Sequence, residues 1–243
     1  MLPFPPMSSV RQTEGLSGAI RILQMEVGLM QNLNEIIADA DGNAVIVDPA
    51  FEVDRLLREA KAHDMTIEAV LITHTHHDHI DGLWDMVRLT GAKVYVGRGE
   101  VAAALACASK AIPDPVVIPL DGGERIAVGD LAIDVIATPG HTRAGVSYLV
   151  DGCVFTGDSL FVGGCGRANF EGGDPRVLWA SLQKLAALPV ETVVYPGHDY
   201  GATLTSTIGH ERATNPYLRC ASEAEFVAVR MGPNPPKNTR GAR

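Results

Sequence analysis

The 243 residues, of which 46% are hydrophobic and 20% charged, have the composition of a folded globular protein, which excludes a disordered, fibrous or disulfide-stapled chain. The 20 basic and 29 acidic residues give a net charge of −9, which argues against nucleic acid as a partner and favours a small molecule. Apolar runs are shorter than the roughly 20 residues of a membrane span, and the first residues lack the pattern of a signal peptide. We therefore expect a cytoplasmic protein with no membrane partner. The four cysteines form no CxxC pair, which indicates reduced thiols.

The first half of the chain is predicted to alternate strands with helices after a flexible N-terminal arm over residues 1–17, which is rich in Pro, Ser and Gln. The turn sequence Asp39-Ala40-Asp41-Gly42-Asn43 lies between two apolar runs and predicts a hairpin. The predicted elements are strands over 33–38 and 44–47, a helix with apolar residues at 53, 56, 57 and 60, a strand over 69–72 and a helix from 80 to 91. This alternation is typical of a sheet covered by helices.

The second half is predicted to form short strands and then another strand-and-helix unit. The predicted elements are strands over 94–96, 116–118, 131–137, 146–150 and 153–156, a helix after Asp174-Pro175, a strand over 192–195 and a helix over 203–215. We therefore predict an α/β fold, a four-layer αββα sandwich of two mixed β-sheets flanked by helices. The catalytic domain is predicted over residues 18–218, followed by a C-terminal tail over 219–243.

Five of the eight histidines follow predicted strands, together with aspartates. The run His74-Thr75-His76-His77-Asp78-His79 comes directly after the strand over 69–72. In an extended segment His74 and His76 point the same way, while Asp78 and His79 begin the next helix and are directed to an adjacent point. The other three candidates, each after a strand and next to a tight Gly turn, are His141, Asp158 and His198. Imidazole and carboxylate are the donors that Zn²⁺ prefers, and these residues suffice for two divalent ions.

With these motifs the sequence resembles the metallo-β-lactamase superfamily, and within it the glyoxalase II-like and persulfide dioxygenase-like branches. The resemblance covers about residues 19–218, and its most specific motifs are the His run 74–79, TPGHT at 138–142, FTGDSLF at 155–161, GCGR at 164–167 and YPGHDY at 195–200. The resemblance implies the αββα fold. It also assigns His74, His76 and His141 to one ion, Asp78, His79 and His198 to a second ion, and Asp158 to the bridge between them. Asp78 and Asp158 are therefore the expected catalytic residues, and zinc is the expected metal, with iron or manganese as alternatives.

Two activities are compatible with this ligand set. The first is hydrolysis of a thioester such as a hydroxyacylglutathione by a metal-bridging hydroxide, which the loops 159–165 and 170–173 favour. The second is a persulfide dioxygenase acting on glutathione persulfide, with one Fe(II) held by His74, His141 and Asp158, which the short segment after His198 favours.

Residues near the ligands receive expected roles in either activity. Arg167 is expected to bind a substrate carboxylate and Tyr200 to hydrogen-bond the peptide part of a glutathione conjugate. Asp48 is expected to support a metal ligand from behind. Assembly into a homo-oligomer stays open.

Overall fold

The computed structural model describes residues 10–108 and 115–236, and within them one seven-stranded mixed sheet is formed by the first part of the chain. Its strands follow the chain order: β1 (Val10–Glu14), β2 (Arg21–Val27), β3 (Asn32–Ala38), β4 (Asn43–Val47), β5 (Thr66–Ile72), β6 (Lys93–Gly97) and β7 (Val117–Leu120). Neighbours from β1 to β4 are antiparallel, whereas those from β4 to β7 are parallel.

A second mixed sheet of six strands is formed by the later part of the chain. Its strands are β8 (Arg125–Val128), β9 (Leu131–Ala137), β10 (Val146–Val150), β11 (Cys153–Gly157), β14 (Val193–Pro196) and β15 (Ser206–Thr207), in the order β15-β14-β11-β10-β9-β8. Only the β11–β14 pair is parallel. A separate short ribbon joins β12 (Leu160–Phe161) and β13 (Gly164–Cys165).

Helices cover the outer face of each sheet. They are α1 (Val53–Ala62), α2 (His77–Ile80), α3 (Leu83–Thr90), α4 (Val101–Ala106), α5 (Pro175–Ala186), α6 (Ile208–Thr214) and α7 (Glu223–Met231). No helix among the described residues has the length and apolar content needed to cross a membrane.

The alternation of side chains along each strand separates the core into layers. Val45 and Leu71 point between the sheets and pack with Phe155, whereas Ile46 lies on the opposite face, in the cluster that includes residues of α1 and α3. Val154 likewise faces α5. These three apolar layers confirm the predicted αββα sandwich.

The predicted ends of two helices are confirmed by their caps. Asp174 accepts hydrogen bonds from the backbone N of Arg176 at 2.8 Å and of Val177 at 3.3 Å, at the start of α5. Gly91 ends α3 in the left-handed region with φ 72°, which a glycine adopts without strain. The last predicted helix begins later than residue 203, because Thr207 caps α6.

Both ends of the predicted domain need correction. The predicted arm is wrong for residues 10–14, which form β1 and pair with β2 from Val10↔Met25 to Glu14↔Arg21. Within the predicted tail, α7 packs on α5 with Phe226 fully buried. The α7 contact has no local signal, because its partner α5 is distant in the sequence. The strand β1 pairs with the next strand along the chain, but its sequence VRQTE is mostly polar and gives no strand pattern. Residues 1–9 and 237–243 of the arm and tail lie outside the described residues.

Candidate metal centre

All seven predicted metal ligands meet at one end of the sandwich, where strands of both sheets terminate. His74 and His76 follow β5, Asp78 and His79 lie in α2, His141 follows β9, Asp158 follows β11 and His198 follows β14. Five of these side chains are buried, and the other two, His76 and Asp158, are partly exposed to a cavity. The two sheets therefore each contribute part of one site, as the strand-end positions predict.

Three histidines form a first cluster. His76 Nδ1 lies 3.1 Å from His74 Nε2 and 3.0 Å from His141 Nε2. One oxygen of Asp158, Oδ2, lies 3.4 Å from His141 Nε2. These nitrogens lie within 4.8 Å of one another, a spacing at which one ion can contact all three.

Two histidines and one aspartate form a second cluster. The Nε2 atoms of His79 and His198 are 3.2 Å apart, and Asp78 Oδ2 lies 3.3 Å from His198 Nε2. The other oxygen of Asp158, Oδ1, lies 3.3 Å from His79 Nε2 and 3.5 Å from His198 Nε2. Asp158 thus presents one carboxylate oxygen to each cluster.

Backbone carbonyls orient one histidine of each cluster. His141 Nδ1 donates to the carbonyl of Arg167 at 2.6 Å, and His198 Nδ1 donates to the carbonyl of Met30 at 2.9 Å. Because a carbonyl only accepts, the proton of each ring is held on Nδ1 and the lone pair of Nε2 faces the cluster.

The carboxylate of Asp48 lies behind both clusters. It accepts from Thr73 N at 2.7 Å, from Thr73 Oγ1 at 2.5 Å and from His79 Nδ1 at 3.0 Å. The Thr73 hydroxyl also lies 3.0 Å from His74 Nδ1, from which it can accept. Asp48 therefore contacts His79 directly and His74 through one hydroxyl, in keeping with its expected supporting role.

The surroundings of the clusters keep the carboxylates charged and shift the pKa values of the histidines in different directions. Burial lowers the pKa of His74, and lowers that of His76 to about 4. Burial opposes the charge of His79 and Asp158 as well, but these two groups face each other, so the pKa of His79 is raised and that of Asp158 is lowered.

The donor set fits a pair of divalent metal ions. The inward Nε2 lone pairs of His79 and His198 face each other at 3.2 Å, and only a cation between them, a proton or a metal, relieves that repulsion. The backbone also packs tightly against the carboxylate of Asp158, because a Cβ at Gly197 would lie only 2.8 Å from Asp158 Oδ1. Histidine and carboxylate donors at this spacing are those that Zn²⁺ takes, and Fe or Mn accepts the same atoms.

A cavity of about 520 Å³ lies over the clusters and contains both predicted substrate residues. The guanidinium of Arg167 lies 4.3 Å from the centre of the Phe170 ring. The ring of Tyr200 stacks on His198 with centroids 4.6 Å apart, and burial raises the pKa of its hydroxyl to about 12. Cys165 also lines the cavity, but burial raises the pKa of its thiol to about 12, which favours the protonated thiol over the nucleophilic thiolate at neutral pH.

Sequence reasoning missed several residues that hold the ligands. Asn32 donates from Nδ2 to the carbonyl of Asp78 at 2.9 Å and to its Oδ2 at 3.2 Å. Thr73 and Phe170 touch ligands as well, through the Thr73 hydroxyl and an edge-on contact of Phe170 with His76. The one local signal for Asn32 is a polar residue at the start of a fully buried strand.

Comparison with known proteins agrees with this geometry. Residues 35–198 match the metallo-beta-lactamase superfamily. Hydroxyacylglutathione hydrolase from Vibrio cholerae is 34% identical over 227 residues, which cover 80% of this chain and 84% of that protein. The crystal structure of ETHE1 from Myxococcus xanthus superposes with a TM-score of 0.75 at 33% identity, and the likeness covers 94% of this chain and 92% of that one.

A beta-lactamase hydrolase-like protein from Agrobacterium fabrum is 31% identical over 80% of this chain, which spans about half (52%) of its length. The family match covers more than half of the chain and includes all seven clustered residues, from His74 to His198. The chain therefore belongs to the metallo-β-lactamase superfamily and is an enzyme of that superfamily.

Proposed function

We propose that this enzyme hydrolyses a thioester of a small thiol, such as a hydroxyacylglutathione, at a centre of two divalent metal ions. The observation that carries the proposal is the position of Asp158, whose two oxygens lie 3.3 Å from His79 Nε2 and 3.4 Å from His141 Nε2, one toward each cluster. Two ions held by these residues would lower the pKa of bound water toward neutrality and so would supply the nucleophile for hydrolysis at pH 7. Zinc is the proposed metal, because histidine and carboxylate are its preferred donors.

The side chains proposed for the reaction are the carboxylates that would hold the metal ions, and no separate acid is needed for the leaving group. Asp78 and Asp158 supply negative charge that would offset part of the charge of two divalent cations, and both carboxyl pKa values lie below the usual range because buried histidines face them. A departing thiolate has a conjugate acid with a pKa of about 8.5, so it needs little protonation, and no side-chain acid is required.

The cavity favours a substrate with an apolar part and a negatively charged part. Met30, Phe161 and Phe170 form apolar wall, and the guanidinium of Arg167 is the cationic group available to a substrate carboxylate. The Tyr200 hydroxyl keeps its proton and can donate to a peptide oxygen. A glutathione thioester combines these features, and the 34% identity to a hydroxyacylglutathione hydrolase supports the same class.

The test is hydrolysis of a hydroxyacylglutathione by zinc-loaded protein, followed as release of free thiol with a chromogenic thiol reagent. An oxygen ester of the same acyl group serves as the matched substrate, and we expect the thioester to react faster because its leaving group is the weaker base. Absence of thiol release from protein shown to contain zinc would refute the hydrolase.

A persulfide dioxygenase is the second candidate. The likeness to ETHE1, which extends over 94% of this chain, favours it. His74, His141 and Asp158 would then hold one Fe(II) in a two-histidine, one-carboxylate arrangement. The test is oxygen uptake by anaerobically iron-loaded protein on addition of glutathione persulfide. Uptake would support the dioxygenase over the hydrolase. No uptake by protein shown to contain iron would eliminate the dioxygenase.

A further inference from the structure

Glu100 is a buried carboxylate outside the two clusters. It ends the short 3-10 turn Arg98–Glu100 that follows β6, and only 5% of its surface is exposed. A carboxylate is costly to bury unless hydrogen bonds replace its water, so its partners show what holds it there.

The two oxygens of Glu100 bind two different loops. Oε2 accepts from the hydroxyl of Thr75, and Oε1 accepts from the backbone N of Ala144 at 3.1 Å. Thr75 stands between His74 and His76 in the sequence, and Ala144 follows His141 by three residues. One carboxylate therefore joins the two segments that carry all three histidines of the first cluster.

The turn that carries Glu100 also packs closely on the His141 loop. A Cβ at Gly97 would lie 1.9 Å from the carbonyl oxygen of Ala144, and one at Gly99 would lie 2.8 Å from the Ala144 Cβ. Only glycine permits this approach. The position of the Glu100 backbone is thus set against the same loop that its side chain binds.

The first cluster spans the two sheets, so a link between its loops bears directly on the spacing of its histidines. His74 and His76 follow a strand of the seven-stranded sheet, whereas His141 follows a strand of the six-stranded sheet, so no shared strand fixes their spacing. We propose that Glu100 is a positioning residue that holds the two loops of the first cluster at the spacing one metal ion requires. This inference rests on the proposed metal centre, and it does not depend on which reaction the centre performs.

The test measures zinc affinity rather than turnover. Metal-free protein is titrated with Zn²⁺ in competition with a chromophoric chelator, for the wild type and for the variants Thr75→Val, Thr75→Ser, Glu100→Ala and the double variant Thr75→Val/Glu100→Ala. Thr75→Val is the primary variant because it removes the hydroxyl donor at nearly constant volume and leaves the Ala144 bond in place.

We expect two zinc equivalents in the wild type, one of which binds about tenfold more weakly in Thr75→Val, while the other stays unchanged. Thr75→Ser should restore the wild-type affinity, because serine returns the hydroxyl. The double variant should bind no more weakly than Glu100→Ala, since both substitutions break the same hydrogen bond.

The control is Arg98→Ala, in the same turn. Arg98 is exposed and its guanidinium pairs with Asp121 at 2.6 Å, so its removal leaves the hydrogen bonds of Glu100 in place and zinc binding should match the wild type. Unchanged affinity in both Thr75→Val and Glu100→Ala would overturn the positioning role. Equal weakening of both equivalents, together with a lower unfolding temperature of the metal-free variants, would also overturn it in favour of a general stabilising role.

The same titration separates this inference from the proposed function. A wild type that binds two equivalents but hydrolyses no thioester would refute the hydrolase, while the variants still decide the role of Glu100. A wild type that binds no zinc would overturn both.

Discussion

The two ligand clusters differ in the charge that surrounds them. In the second cluster, His79 donates to the carboxylate of Asp48 and faces that of Asp158, and its pKa is raised. In the first cluster the pKa values of His74 and His76 are lowered, chiefly by burial. The first cluster is thus built from neutral imidazoles, and the second is backed by carboxylates.

This difference shows two ways of preparing a cation site. Buried carboxylates attract a cation by charge, at a cost in desolvation that hydrogen bonds must offset. Neutral histidines rely instead on correct spacing, which carbonyl acceptors and a link between loops provide. We therefore expect the second cluster to be sensitive to charge and the first to be sensitive to geometry.

The largest effect is expected from Asp158→Ala, because this residue faces both clusters. Loss of a shared ligand should weaken zinc binding by more than the about 10–100-fold typical of residues behind a ligand, and hydrolysis should disappear with the metal. Metal content by elemental analysis and thiol release are measured on the same sample. A variant that keeps both would contradict the assignment of Asp158.

Asp48→Asn should have the next largest effect and should separate the clusters. An amide cannot accept from Thr73 N, Thr73 Oγ1 and His79 Nδ1 together, because its NH₂ group is a donor. We expect about 10–100-fold weaker binding of one zinc equivalent, and a smaller loss at the other, which Asp48 reaches only through a hydroxyl. Chelator competition measures both steps, and equal losses at the two steps would count against the comparison.

Glu35→Gln tests a buried carboxyl group that keeps its proton near the second cluster. Glu35 is buried, accepts from Gln24 Nε2 at 3.0 Å, and burial raises its pKa from 4.5 to about 8. The folded protein keeps this proton where the unfolded chain releases it, so the stabilisation is complete below about pH 4.5 and is lost as the pH rises toward about 8.

The free energy of unfolding of the wild type should therefore fall by about 3–4 kcal/mol between about pH 5 and 8, relative to Glu35→Gln, which is neutral throughout. Urea unfolding of both metal-free proteins across this range measures the difference. Parallel pH profiles would show that Glu35 titrates normally.

Phe170→Leu should have the smallest effect, at the cavity side of the first cluster. The Phe170 ring lies 4.3 Å from the Arg167 guanidinium and 5.2 Å from the His76 ring. Loss of a cation–π contact of about 0.5–1 kcal/mol should raise KM about two- to fivefold with kcat unchanged, and Phe170→Tyr should retain the wild-type KM. A fall in kcat with KM unchanged would instead indicate that Phe170 orients the His76 ring.

The ligand positions were predictable because each has a local signal. Every one follows a short apolar strand, and strand ends on one side of a sandwich converge whatever the rest of the chain does. The αββα fold was predictable from the same alternation of strands and helices, which the structure confirms. The ends of the domain were not predictable, because β1 is short and mostly polar and α7 is stabilised by α5, which is distant in the sequence.

The sequence by itself determined which residues can bind metal and which faces of the strands are buried, since both follow from side-chain chemistry and from local periodicity. The tertiary structure alone decided how those residues are oriented. The Asp48 contacts with His79 and Thr73, the Asn32 contact with Asp78 and the Glu100 link between two loops each join segments at least 25 positions apart. Such contacts carry no local pattern, because their energy depends on where folding brings a buried polar group and not on its neighbours in the sequence.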